Sequence, residues 1–371
     1  MSIETLELRR RPGRFATAAS ILTLLAALLM LLGGLLDGLI DGSTGAFRAQ
    51  RADLVVYSAA ADRSLPRSRI SDADRAAVDA VPGVEKSAAL SVVQLGARVP
   101  GKAPRDLAPV ALVGYELPPN GVPAVPADGS AFADRILESD GVRVGQTLLV
   151  GPARSPVRIQ GWVDGLTYAG QGTLWASMGT WRTVTAANRP DAVLGPNESQ
   201  ALLVRADPGV DPSALAARVS RGTDGAVEAL TLASAIDAIP GVSEQNSTFS
   251  QIIGVTLVIA VLVVALFFAL LTIERQPLYG VLKAVGATSG RLFRGVLVQV
   301  FVITAIASLI GTSIAVAIDR ALPPGSIPFD LRPARAAGNL VFLFLAAFLG
   351  GAFSLRRVLR IDPASAIGSS S

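Results

Sequence analysis

Cysteine and histidine are both absent from the 371 residues. Without cysteine there are no disulfides, no thiolate nucleophile and no Cys-based metal site. Without histidine the chain also lacks the usual general base and the commonest metal ligand. A G-x-x-x-x-G-K-[ST] run is missing as well, so the chain has no P-loop of its own for ATP. No carboxylates are paired in a recognisable catalytic arrangement. Together these absences argue against an enzyme and leave no resident metal to expect.

What is present is apolar. Hydrophobic residues make up 51% of the chain, charged residues only 17%, and the mean hydropathy is positive. With long charge-free runs, this places the chain among integral membrane proteins. The formal charge of +4 might suggest nucleic acid. The cations, however, cluster beside the apolar runs, at Arg9, Arg10, Arg11 and Arg14 and again at Arg356, Arg357 and Arg360. No basic stripe with interleaved aromatics accompanies them, so a nucleic-acid partner is not expected.

A bilayer core needs about 20 apolar residues in a helix. Four segments qualify, giving transmembrane helices over 15–40, 251–273, 295–318 and 338–355. The last is short and should stand nearly upright or thin the bilayer locally. The third carries Thr304, Ser308, Gly311, Thr312 and Ser313, small and hydroxyl residues that favour close helix packing. The first could be a cleaved signal peptide, but its apolar run, Phe15 to Leu36, exceeds an h-region, and a retained anchor is expected. The arginines of 1–14 and of the 356–371 tail put both termini in the cytoplasm. The loop over 274–294 lies on that same side, and the 319–337 loop lies outside. Arg320, Arg332 and Arg335 in this outer loop run against the bias.

Residues 41–250 have soluble character and are long enough for a core of their own. "ADLVVYS", "LAPVALVGYE", "GQTLLVG", "VRIQGWVDG" and "SQALLVRAD" read as short strands. "SDADRAAVDAVPGV" and "DPSALAARVSR" read as helices with Ser or Asp caps. The expected fold class is therefore an α-helical membrane protein of four spans with a large extracytoplasmic α+β domain between helices 1 and 2. "SEQNSTFSQIIG" reads as a polar stalk entering the second span.

The 274–294 loop is a short basic interruption between two apolar runs. Pro277 suits a first helical turn. Leu278, Val281, Leu282 and Val285 then share one face, and Gly286 suits a left-handed stop. Ser289 reads as the N-cap of the third span. The result is a short amphipathic helix, which could simply be a connecting hairpin resting on lipid headgroups.

"YGVLKAVGATSGRLFRGVLVQ" resembles the signature of FtsX-like ABC permeases, in which a run of the type "IGILRALGAT" precedes the third span. "RIDPASAIG" resembles the "DPAEAL" tail of that family, and one span, a large outer domain and three further spans match its layout. "AVPGVEKSAAL" and "VRVGQTLLVG" resemble parts of the core domain shared with MacB-like exporters. The resemblance implies that the helix before the third span is a coupling helix docking on a separate cytoplasmic ATPase, which would carry the ATP and Mg. The residues this implicates are Glu274, Arg275, Leu278, Tyr279, Gly280, Val281, Leu282, Lys283, Ala284, Gly286 and Ala287. The family usually has an acid just before "IG". Here Leu278 and Tyr279 precede Gly280 and the nearest acid is Glu274, so an ion pair to the ATPase would be rearranged.

A second constellation ends the first span. Gly34, Gly38 and Gly42 form a four-residue repeat that would let another helix approach, either a second copy of span one or span two. Asp37 and Asp41 follow a neighbouring line. They read either as solvated carboxylates at the bilayer surface or, with Met30 deeper on the same span, as part of a substrate portal. Trp162, Tyr168, Trp175 and Trp181 read as core or sheet-edge packing, with a ligand groove as the sharper alternative.

The leading expectation is a permease subunit of an ABC exporter of the mechanotransmission type in a bacterial plasma membrane. Two copies, or one and a paralogue, would work with ATPase subunits on a lipid, lipoprotein, peptide, antibiotic or haem-like cargo. The alternative is a transmitter that moves nothing and relays ATPase motion to an outer enzyme or sensor.

Overall fold

The computed structural model describes residues 12–274, 285, 288–322 and 327–359. In chain order the elements are α1 (Pro12–Arg48), β1 (Leu54–Ser58), α2 (Asp72–Asp79), β2 (Val84–Arg98), β3 (Leu107–Tyr115), β4 (Ser130–Asp134), β5 (Thr147–Val150), β6 (Ser155–Val163), β7 (Gly172–Ser177), α3 (Met178–Asn188), β8 (Ala201–Ala206), α4 (Pro212–Gly222), β9 (Val227–Thr231), α5 (Leu232–Asp237), α6 (Val242–Glu274), α7 (Ser289–Ala321) and α8 (Pro333–Leu359). They fall into two compact units. A sheet unit holds Leu39–Asn246, and a helical unit holds the residues up to Gly38 and most of those from Ser247 onward.

The sheet unit is organised by β2, whose 15 residues are shared between two halves of one sheet. Leu90 to Arg98 pair antiparallel with β3, while Ala97 and Arg98 also meet β5 on the other side. From β3 the ladder runs through β7, β4 and β6 back to β5, closing a ring of six strands with no free edge among them. The earlier half of β2 pairs instead with β8, followed by β1 and β9.

Alternation along β3 serves two cores. Val110 and Leu112 face one cluster, with Leu148, Val157, Ile159 and Leu174, while Ala111, Val113 and Tyr115 face another, with Val55, Tyr57, Leu203 and Trp175. That is why "LAPVALVGY" has no polar residue inside it: a strand buried on both faces reads as a continuous apolar run. A third cluster joins β1, β8 and β9 to α2 and α4. The caps are those the sequence suggests. Ser71 and Asp74 close a capping box on α2, and Asp211 accepts the Ala214 amide at the start of α4.

Four strands and two helices lie outside the expected set. β2, β4, β7 and β9 mix Ala, Gly, Ser, Asp and Glu, poor strand formers alone, with their Val, Leu, Thr and aromatic residues, and tertiary pairing makes them strands. α3 and α5 were also not foreseen. The stretch read as a polar stalk is helical and continuous with α6 from Val242.

The last turns of α1 are bound to the sheet unit by the loop between β6 and β7. The Ala46 amide donates to the Thr167 carbonyl at 2.9 Å, the Ala169 amide to Ser43 at 3.0 Å and the Gly170 amide to Gly42 at 2.9 Å. Gly45 leaves the room for this, since a Cβ there would lie 2.4 Å from the Gly165 carbonyl oxygen. Asp134 holds the loop from behind, its buried carboxylate accepting the Leu166 amide at 2.6 Å. Desolvation raises the pKa of Asp134, against the two backbone donors, Ile136 and Leu166, that lower it.

In the helical unit, α1, α6, α7 and α8 are each long and apolar enough to cross a membrane. Small residues set the close approaches. A Cβ on Gly311 of α7 would meet Ala26 Cβ at 2.7 Å and the Thr23 carbonyl at 2.9 Å on α1. A Cβ on Gly350 of α8 would meet the Val261 carbonyl of α6 at 2.5 Å. The fourth span is not short. α8 has 27 residues, and its apolar stretch runs from Pro333 to Phe353, because the helix starts at Pro333, five residues before the expected boundary. Ser289 is not a cap either: it is the first helical residue of α7, and Thr288, in extended conformation, occupies the N-cap position.

Candidate functional site

The residues expected to couple to an ATPase lie almost wholly outside the described residues: Arg275, Leu278, Tyr279, Gly280, Val281, Leu282, Lys283, Ala284, Gly286 and Ala287. Glu274 ends α6 and is exposed, and Val285 is 82% exposed.

The glycine row of α1 is described, and its occupant differs from either expectation. Among the described residues, no helix packs into it. The extended segment Pro328–Asp330, just before α8, lies there instead. A Cβ on Gly34 would fall 2.5 Å from the Phe329 ring, and one on Gly38 would collide with the Pro328 carbonyl. The Asp330 amide donates to the Gly34 carbonyl at 2.9 Å. An extended backbone can come this close only where the helix presents no side chain. Gly42 takes no part, with nothing within 4 Å of its would-be Cβ.

Asp37 is not solvated. It is 1% exposed, and Arg335 of α8 donates from Nε to Asp37 Oδ1 at 2.6 Å. Asp37 Oδ2 has no hydrogen-bond partner among the described residues. The Arg335 stem crosses Gly33, whose would-be Cβ lies 3.5 Å from Arg335 Cδ and 2.7 Å from Asn339 Nδ2. Asn339, one turn further along α8, donates to the Leu29 carbonyl at 3.0 Å. Asp41 pairs with Arg48 at 2.6 Å. Met30 is fully buried within the bundle.

A buried carboxylate left without a cation is strongly destabilising, which explains why an arginine stands at the head of an otherwise apolar helix. Arg335 and Arg332 were visible as charges opposing the positive-inside bias. Their pairing, Arg335 with Asp37 and Arg332 with Asp330, was not. Phe329, Pro328 and Asn339 gave no signal in the sequence, because nothing local says what they touch.

On α7, Thr304 and Ser308 are buried, and the hydroxyls of Thr304, Ser308 and Thr312 find no partner among the described residues. In the sheet unit Trp175 and Trp181 are buried in its cores, and Tyr168 stacks on Phe47. Burial pushes the Tyr168 phenol up to about 12. Trp162 is half-buried, with the Arg135 guanidinium 6.0 Å from its ring centre. A void of about 10 Å³ lies between Phe47, Gln50, Tyr168 and Trp175, room for one water. Tyr168, Trp175 and Trp181 are thus core packing.

Comparison with known proteins places the helical unit. Residues 251–363 match the family described as FtsX-like permease C-terminal. Over 111 residues the chain is 30% identical to the hemin transport system permease protein HrtB of Staphylococcus haemolyticus, covering 30% of this chain and 31% of that one. Over 126 residues it is 30% identical to the HrtB protein of Staphylococcus epidermidis, covering 34% and 35%. The chain thus matches about a third of the length of these relatives. Among solved structures, the periplasmic region of MacB from Actinobacillus actinomycetemcomitans aligns with a TM-score of 0.36 and 10% identity, over 52% of this chain and 94% of that one. The extracellular domain of the ABC-type transporter YknZ from Gram-positive bacteria aligns with a TM-score of 0.33 and 14% identity, over 48% and 100%. Residues 251–363, which hold most of α6 and all of α7 and α8, are the part of the chain similar to the FtsX-like permease C-terminal family.

Proposed function

We propose that this chain is the permease subunit of an ABC exporter of the mechanotransmission type. It sits in a bacterial plasma membrane with both termini cytoplasmic and the sheet unit outside. The observation that carries the reading is the match of residues 251–363 to the FtsX-like permease C-terminal family. Four helices of membrane-spanning length support it. In this reading the 274–294 stretch docks on a separate ATPase, which holds the ATP and Mg, and a second copy or a paralogue completes the transporter.

The cargo is hydrophobic or amphipathic. A haem-like compound heads the candidates because relatives 30% identical over 111 and 126 residues are named as hemin transport permeases. The chain offers neither histidine nor cysteine to an iron.

The test is affinity purification of the chain from its native membrane in mild detergent, with mass spectrometry of what stays bound. A stoichiometric P-loop ATPase is expected. Its absence, with the chain intact and folded, would overturn the proposal.

A further inference from the structure

The loop between β6 and β7 and the last turns of α1 share one pair of backbone groups. In a regular α-helix the Ala46 amide bonds the Gly42 carbonyl. Here the Ala46 amide donates to the Thr167 carbonyl, and the Gly42 carbonyl accepts the Gly170 amide, so the loop engages both halves of that pair. Beside it Ser43 accepts the Ala169 amide, and the Thr167 hydroxyl donates to the Asp41 carbonyl at 3.1 Å. Residues 41–46 and the loop all belong to the sheet unit.

The loop has a fixed root and a self-contained tip. Leu166 is tied down twice, by its amide on Asp134 and by its carbonyl, which accepts the Thr173 hydroxyl at 2.8 Å. Tyr168 and Gln171 exchange both of their backbone hydrogen bonds, each at 3.0 Å, so the tip keeps its shape without help from α1. Its seat on α1 is strained and incompletely filled. Ala169 has φ 49°, a left-handed backbone that costs an L-residue more than glycine. Gln50, 5% exposed, lines the void between Phe47 and Tyr168, and its Oε1 has no hydrogen-bond partner among the described residues. Close-packed interiors hold few voids and few unpaired polar atoms.

We propose that the 166–171 loop is a latch on α1 with two hydrogen-bonded states. In the latched state, the one in this structure, Thr167 and Gly170 hold the Ala46 amide and the Gly42 carbonyl. In the released state the tip swings from its root at Leu166, and Ala46 and Gly42 bond each other in an unbroken helix. Water takes the freed Thr167 carbonyl and Gly170 amide, so the exchange of partners is close to balance. The helix keeps a partner for Ala46 in both states, which makes this a two-state element and not a frayed end. Its role rests on the export reading: when an ATPase drives α1, a latched loop passes the motion to the sheet and a released loop does not.

The two states differ at single amides, and the difference is measurable without any ATPase. Release exposes the Ala169 and Gly170 amides while Ala46 stays bonded, whereas fraying of α1 exposes Ala46 with them. Hydrogen–deuterium exchange of the full chain in lipid nanodiscs would be read at single residues by electron-transfer fragmentation. Corrected for intrinsic rates, Gly170 is expected to exchange about tenfold faster than Ala46. Thr167→Val removes the bond to Asp41 and is expected to speed Gly170 about fivefold, the size of one neutral hydrogen bond, with Ala46 unchanged. Ala169→Gly relieves the left-handed residue and is expected to slow Gly170 about threefold. Thermal unfolding of each variant confirms that it is folded.

Equal exchange at Ala46 and Gly170 would overturn the latch, as would a joint rise at both in Thr167→Val or unchanged exchange in the two variants. Separate exchange in a chain that recruits no ATPase would sustain the latch and remove the export reading. A recruited ATPase with Ala46 and Gly170 exchanging together would do the reverse.

Discussion

Arg335 Nε lies 2.6 Å from Asp37 Oδ1, joining two helices whose sequence positions are 298 residues apart. Arg335→Met alone would strand a carboxylate that is 1% exposed, at a cost of about 3–5 kcal/mol. Adding Asp37→Asn removes the stranded charge. The double variant is therefore expected to be more stable than Arg335→Met. Thermal unfolding of the two purified proteins in the same detergent checks this, and a double variant no more stable than the single one would contradict it.

Gly311 and Gly254 are both helical glycines, yet only one is in contact. Gly311→Leu must push α7 off Ala26 and Thr23 and should lose the folded bundle or destabilise it by about 1–3 kcal/mol or more. Gly254 has nothing within 4 Å of its would-be Cβ, so Gly254→Ala should be neutral or stabilising by up to about 1 kcal/mol. The shift in unfolding temperature of each variant is the readout.

Gly45 and Gly42 make the same contrast at the end of α1. Gly45→Ala places a methyl group against the Gly165 carbonyl and should detach the 165–170 loop, whereas Gly42→Ala meets open space. Amide hydrogen exchange of residues 165–171 should rise in the first variant and stay unchanged in the second.

Glu116 gives a pH dependence. Burial alone would raise its pKa, but the Arg75 hydrogen bond, the Ala89 amide and the charges of Arg75 and Arg182 outweigh it, and the net shift is downward. A lowered carboxylate stabilises the fold above its unfolded value of about 4.3, and that contribution is lost as pH falls through the folded value. Glu116→Gln should therefore cost stability at pH 7 and have little effect at pH 3, as read by denaturant titration of both proteins. Because the pair is partly exposed, the effect should not exceed about 1 kcal/mol.

The coupling reading has its own variant. On that reading Gly286→Leu should lower ATPase stimulation by the permease without lowering the yield of the complex. Unchanged stimulation would remove the 274–294 stretch from the docking surface.

Much of the architecture was legible locally. A run such as Ile252 to Ile273 needs no partner to be recognised, because a helix in lipid satisfies its own backbone and only length and apolarity are required of it. The strands β1, β3, β5, β6 and β8 stood out for the same local reason: β-branched and apolar residues between Gly, Pro and Asp. β2 did not. "VEKSAALSVVQLGAR" has few β-branched residues, and its extended form is imposed by β3 on one side and β8 and β5 on the other.

The site shows the same division more sharply. The sequence by itself determined that Gly34 and Gly38 share a face with no side chain and that Asp37 stands at the end of an apolar helix, because helical periodicity is a local property. Only the tertiary structure decided that Phe329 and Pro328 fill that face and that Arg335 answers Asp37. Those partners come from the far end of the chain. A glycine row says that something approaches closely, but what approaches is settled by packing across hundreds of residues, which no local pattern encodes.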